Sequence, residues 1–218
     1  TPQAAQPLVP DAPVTVLSAA QDAGRKICDA YLLARGLAPQ PLREDEQTEL
    51  LKTLLARPRR RELEQASYTL LFGGLSLAAL THLTRHRMQS LCPPQLLQNI
   101  RYDRYVLPQS VRDKGMEARY RSAFELAGQA AAQLRDRGAD ESALCYLMLS
   151  GQTVPVLTTM NAGELYVFFR LRCCTRAQWE IRDAACQALA ALREVSPEEF
   201  RLYGPTCFCT GTCPDGKV

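Results

Sequence analysis

An α+β domain with a mixed sheet and flanking helices is the fold class that this sequence predicts. Three observations carry it. Several segments repeat apolar residues at helical spacing, others are β-branched or aromatic and extended, and no internal repeat joins the two kinds into regular units. With 218 residues and 46% hydrophobic content, the chain is long enough for one sizeable core.

The elements follow from local pattern. Residues 1–13, rich in Pro, Ala and Gln, read as a loose leader, and Val14 to Leu17 alternate like a short strand. A helix is expected from Ala19 to Gly36 and another from Glu44 to Leu55, with Arg57-Pro58-Arg59-Arg60-Arg61 as a break after it. The stretch from Ala66 to Leu75 suits a buried strand interrupted at Gly73-Gly74, after which Ser76 can cap a helix running through His86. Leu91 to Pro108 reads as irregular, with a strand expected around Asn99 to Val106. Met116 to Arg137 is amphipathic and closed by Gly138, and Asp140 can cap the short helix that follows.

Gln152 to Thr159 is extended, and Asn161 with Glu164 three residues on forms a capping-box pattern. The helix behind it places Leu165, Phe168, Phe169 and Arg172 on one face, so an arginine shares an apolar stripe. A last long helix is expected from Arg176 to Glu194, and residues 204–218 form a Cys-rich tail. The domain proper therefore spans residues 14–203.

Charge and composition exclude several classes of function. Twenty-six basic residues against 23 acidic ones leave a net charge of +3, too balanced for a dedicated nucleic-acid binder. No apolar run approaches the roughly 18 residues that span a bilayer, and the first residues lack the regions of a signal peptide. A cytoplasmic location is expected. A reducing compartment also accommodates nine cysteines as thiols, and Cys28, Cys145 and Cys186 sit in patterns where packing is the simplest role. In the tail, Cys207, Cys209 and Cys213 have a spacing that suits zinc, a redox pair or a flexible segment, but no fourth ligand is evident.

Arg85-His86-Arg87 is the densest candidate for chemistry, since two guanidiniums beside an imidazole offer charge-assisted donors to a phosphate or an electron-rich ring. The same residues also suit a plain helix C-terminus. His82 and His86 lie one turn apart like a metal-binding pair, but with no third ligand in view no metal is expected there.

Arg85-His86-Arg87-Met88-Gln89-Ser90 resembles the start of the RHRxxSxNExSxR signature of flavin-dependent thymidylate synthases. Leu63-Glu64-Gln65-Ala66-Ser67-Tyr68-Thr69 is similar to the family's LEHxxFT strand, and Asn161-Ala162 stands where its NARSL helix begins. Leu171-Arg172 followed by Ala177-Gln178-Trp179-Glu180-Ile181-Arg182 resembles its LR…AQWEIR pair, and the likeness runs from Val14 into the tail.

The resemblance implies a single domain of the flavin-dependent thymidylate synthase type and a homotetramer. It also implies a reaction that methylates dUMP to dTMP with methylenetetrahydrofolate, FAD and NADPH. Arg85, His86, Arg87 and Asn161 would then hold FAD and Arg172 the pyrimidine; Thr81-His82 replaces the family's His-Gln pair, leaving His82 as a candidate donor to the substrate.

The chain also departs from the pattern. Cys92, Pro93, Gln95 and Leu97 replace the Asn, Glu, Ser and Arg of the signature, and Leu144 falls on the arginine of the ARxxLP segment. Gly163 and Val167 stand where polar flavin contacts are usual. Arg59, Arg60 and Arg61, or Arg101 and Arg104 in a shifted loop, are candidates to compensate, and Arg59 to Arg61 read equally well as a solvated basic loop. Three outcomes stay open at this point: an active methylating enzyme, a flavoprotein with another substrate, and a non-catalytic paralogue that assembles with an intact one as a hetero-oligomer.

Overall fold

Along Thr153–Asn161 half-buried and buried side chains alternate at every position, the pattern of a strand with one face in the core. In the computed structural model, which describes residues 12–216 except Ile100, this strand is β4. It lies in a four-stranded sheet with β1 (Val14–Ser18), β2 (Ser67–Ser76) and β3 (Gln89–Cys92), in the order β1-β2-β4-β3. All three pairings are antiparallel, so the α+β class holds and the expected mixed sheet does not. Antiparallel neighbours need no crossover helix between them.

β2 passes through Gly73-Gly74 instead of ending there: its register with β4 shifts between Phe72 and Leu75, and pairing resumes to Ser76. A bulge accommodates the two glycines without breaking the strand. Among the described residues, the strand expected around Asn99 to Val106 is reduced to a bridge between Tyr105 and Gln152, while β3 forms at Gln89–Cys92, whose last two residues fall in the stretch expected to be irregular. Gln89 explains this. Its side chain accepts from Thr158 Oγ1 (2.7 Å) and donates to the Leu83 carbonyl (2.7 Å), locking the segment onto β4.

The helices are α1 (Ala23–Leu33), α2 (Glu44–Leu55), α3 (Leu77–Leu83), the short α4 (Leu96–Asn99) and α5 (Gln109–Asp113), and the long α6 (Glu117–Asp136). They continue with α7 (Ala162–Arg172), α8 (Trp179–Val195), α9 (Pro197–Phe200) and α10 (Thr206–Thr210). Tight 3-10 turns span Arg61–Gln65 and Glu141–Leu147. α8 packs on β1 and β2 while α7 packs on β4 and α8. Between them Tyr68, Leu70, Phe72, Phe168, Phe169, Ile181 and Leu192 are fully buried. Each such side chain contributes roughly 1.5–3 kcal/mol of burial.

Three helices differ in extent from their sequence patterns. α1 begins only at Ala23 because Asp22 takes a left-handed conformation (φ 49°), and it ends before Gly36 (φ 71°). α8 starts at Trp179 because the Gln178 side chain accepts from the Ile181 amide at 2.9 Å. α3 stops at Leu83, three residues short of His86, which frees Arg85-His86-Arg87 from the helical path. Of the cysteines expected to pack, Cys28 is buried, whereas Cys145 and Cys186 are exposed. The putting of residues 1–13 in a loose leader falls, for residues 1–11, outside the described residues.

Glu199 on α9 is 8% exposed and faces the start of α1, where a Cβ on Gly24 would lie 2.9 Å from its Oε1. Burial raises its pKa above the ordinary carboxylate value, so the native state takes up a proton more readily than the unfolded chain. Stability from this group is therefore present at low pH and lost as pH rises through the raised value. Glu199→Gln is expected to gain up to about 1 kcal/mol at neutral pH and to flatten this dependence, as read from urea midpoints across the acid-to-neutral range.

Candidate functional site

The first turn of α7 faces the chain just before the 3-10 turn across a cleft of about 480 Å³. Arg59, Arg60 and Arg61 line one wall, and Asn161, Gly163, Glu164 and Val167 the other, with Met88 between. Asn161 ends β4 and caps α7, its Oδ1 accepting from the Glu164 amide at 2.8 Å. Gly163 adds no side chain to the wall, which leaves the cationic side of the cleft open. Arg60 is held by a bond from its Nε to the Leu55 carbonyl (2.9 Å), and Arg61 pairs with Glu64 (3.2 Å).

Behind the cleft lies a hydrogen-bonded chain of side chains. His86 is 5% exposed, edge-on to Phe168 with ring centroids 5.0 Å apart. Arg172 donates from Nε to His86 Nε2 at 3.0 Å and from its NH2 group to the His82 carbonyl at 3.2 Å. A guanidinium cannot accept, so Nε2 carries the lone pair and the ring proton sits on Nδ1. That proton points at Glu164 Oε1, 2.9 Å away. Burial, and then the nearby charge of Arg85, lower the pKa of Arg172.

Glu164 therefore supplies only half of the capping box that its position suggests: its amide is capped by Asn161, while its carboxylate serves His86. Glu164→Ala is expected to leave the buried Nδ1–H without a partner and to cost about 1–3 kcal/mol in urea unfolding. Glu164→Gln, which keeps the acceptor oxygen, should recover most of it; equal losses in the two variants would refute the assignment.

The structure gathers some of the sequence-expected residues and disperses others. Asn161 lines the cleft, His86 and Arg172 are bonded to one another, and His82 contributes its carbonyl. Arg85 and Arg87 are exposed on either side of buried His86. Leu144 is 3% exposed inside the 3-10 turn, and Leu97 is half-buried on α4. Arg101 is exposed and bound to Asp103 at 3.0 Å, and neither Arg101 nor Arg104 borders the cleft. Arg59 to Arg61 do border it, which the basic run itself signals.

Two contacts that shape this region have no such signal. One is Glu164 on His86; the other is Glu180, whose carboxylate accepts from the Ser76 amide (2.7 Å) and from Ser76 Oγ. Glu180 thereby fixes the start of α3, the helix that carries His82 and leads to His86.

The tail folds back on the body. Thr206 Oγ1 donates to the Arg170 carbonyl (3.2 Å), and the thiol of Cys209 faces the Gly204 carbonyl at 3.4 Å. Burial raises the Cys209 pKa, keeping it a thiol. Among the described residues no three His, Cys, Asp or Glu side chains are gathered closely enough to hold a metal.

Comparison with known proteins bears on this arrangement. The model of the family described as "Thymidylate synthase complementing protein" matches residues 12–198. The flavin-dependent thymidylate synthase of Geobacter sulfurreducens is 38% identical over 186 residues, covering 82% of this chain and 78% of that enzyme. The flavin-dependent thymidylate synthase of Clostridium tetani is 28% identical over 212 residues, covering 88% and 84%. The fold also matches the crystal structure of a UMP/dUMP methylase, PolB from Streptomyces cacaoi, bound with 5-Br dUMP. That match has a TM-score of 0.76 at 18% identity, over 86% of this chain and 92% of that one. The family model spans most of the chain and the fold agrees with it, so the chain belongs to the flavin-dependent thymidylate synthase family.

Proposed function

We propose that this chain binds FAD in the cleft before α7 and retains the family scaffold, but does not by itself methylate dUMP at a useful rate. One observation carries the flavin assignment: Arg59 and Arg61 line a cleft of about 480 Å³ with Asn161, while Arg60, between them, turns its guanidinium to Tyr166. The residues present fit an anionic dinucleotide. Guanidiniums offer paired donors to a pyrophosphate, and the N-terminal end of the α7 dipole adds partial positive charge, although the Ala162 and Glu164 amides are already bonded to Ala66 and Asn161. Asn161 is placed to bond a polar edge of the same ligand, and Arg85 and Arg87 supply further positive charge from the segment that contains Met88.

Bound FAD would supply hydride transfer, with NADPH as the reductant and methylenetetrahydrofolate as the carbon donor if the family reaction persists. The protein's own contribution would be to orient these ligands and, through Arg172, to hold the pyrimidine of dUMP. Support for an impaired nucleotide site comes from the leucines at 97 and 144, which offer nothing to a phosphate dianion. Assembly as a homotetramer, or with an intact paralogue as a hetero-oligomer, belongs to the same proposal. In the second case this chain completes a neighbour's site without turning over its own.

FAD titration followed by flavin absorbance and fluorescence tests the assignment. Saturable binding is expected, weakened roughly 10-fold by Arg85→Ala and by Asn161→Ala, each of which removes one charged or polar contact. Binding indifferent to both substitutions would place the flavin elsewhere.

A further inference from the structure

A second pocket, of about 460 Å³, lies between the end of α2, α7 and the tail, and shares only Arg60 with the cleft. Its cationic wall is built around one phenol. The Arg60 guanidinium lies 5.0 Å and the Arg170 guanidinium 5.3 Å from the centroid of the Tyr166 ring. Lys52 stands at the rim, paired with Glu49 at 2.6 Å.

No carboxylate lines this pocket among the described residues, so the two guanidiniums converge without a counter-charge. Like charges brought together in this way are unfavourable unless something neutralises them. Arg170 shows the deficit directly, because its Nε is buried and has no hydrogen-bond partner. An orphaned charged donor of this kind is costly in a folded protein.

The remaining polar groups are neutral. Burial raises the pKa of Tyr166 and that of Cys209, so both keep their protons, and the Thr210 hydroxyl at the tail side already donates to the Thr206 carbonyl at 2.9 Å. Leu55, Ala56 and Leu202 supply apolar surface beside them. An anion with several oxygens satisfies both guanidiniums at once; a tetrahedral phosphoryl group matches the paired N–H geometry of arginine.

We propose that this pocket binds a phosphoryl anion, either inorganic or carried on a small organic molecule, at a site separate from the flavin cleft. The proposal does not depend on flavin binding. Isothermal titration of the full chain at low salt, with pyrophosphate, orthophosphate and ribose 5-phosphate as probes, tests it.

Pyrophosphate affinity is expected to fall at least ~10-fold in Arg170→Gln and several-fold in Lys52→Glu. Lys52 is exposed, so its variant keeps the test decisive if Arg170→Gln folds poorly. Tighter binding of ribose 5-phosphate than of orthophosphate identifies an ester, and the reverse order a free anion; both support the pocket. The proposal is overturned if no probe binds at millimolar concentration, or if Arg170→Gln or Lys52→Glu folds and binds as the parent does.

Discussion

Supplied with FAD, NADPH, methylenetetrahydrofolate and dUMP, the purified chain is expected to form dTMP at less than about one hundredth of the rate of an intact family member. The 5′-phosphate of dUMP is a dianion, and arginine holds such groups by bidentate, charge-assisted bonds. Leu97 and Leu144 occupy both positions where the resemblance places those arginines. Two missing contacts of roughly 1.5–3 kcal/mol each weaken nucleotide binding a hundredfold or more if approximately additive. Local rearrangement does not restore them simply: Leu144 is buried at 3% exposure, and Arg101 is already bound to Asp103. Chromatographic detection of dTMP decides the matter, and robust turnover that Arg172→Ala abolishes would show a rebuilt, working site.

Glu180→Ala is expected to lower unfolding stability by about 3–5 kcal/mol. Glu180 is 9% exposed and accepts two hydrogen bonds from Ser76, one from its amide and one from its hydroxyl. The same Ser76 hydroxyl accepts from the Ala79 amide at 3.0 Å, so strand end, helix cap and carboxylate form one unit. Truncation leaves buried donors at the junction of β2 and α3, each costing roughly 1–3 kcal/mol. Glu180→Gln keeps one acceptor oxygen and should lose less. A urea midpoint for the alanine variant within about 1 kcal/mol of the parent would contradict this role.

Helix-period and strand-period patterns made most of the fold legible. α2 and α6 follow from amphipathic spacing with clear stops, and Asn161 announces the start of α7 because a short polar side chain can replace a missing helical partner. β3 was not legible: Gln89–Cys92 shows neither strong alternation nor β-branching, and its pairing depends on Gln89 reaching Thr158 across 69 residues of sequence. Long-range side-chain contacts of this kind leave no local periodicity.

The site divides along the same line. The basic run Arg59 to Arg61 and the arginine on the apolar face of α7 both stand out by violating expected patterns. What Arg172 meets does not, since His86 is 86 residues away and turns inward only because α3 stops at Leu83. Glu164 looks like an ordinary N-terminal helix residue, and nothing nearby in sequence names His86 as the group its carboxylate binds.

The bond between Arg172 and His86 has a consequence for any ligand that recruits this arginine. In the free protein the guanidinium is already committed to Nε2 and to the His82 carbonyl. Drawing it away strands a buried lone pair on the imidazole, at about 1–3 kcal/mol unless the ligand or water replaces the donor. The competent arrangement is then a minor population, and the apparent affinity falls by the fraction that is ready to bind, on the order of 10- to 100-fold. A pyrimidine that satisfies both Arg172 and the vacated nitrogen escapes this penalty, whereas an anion touching Arg172 alone does not, so the buried histidine discriminates between ligands it need never meet at the surface.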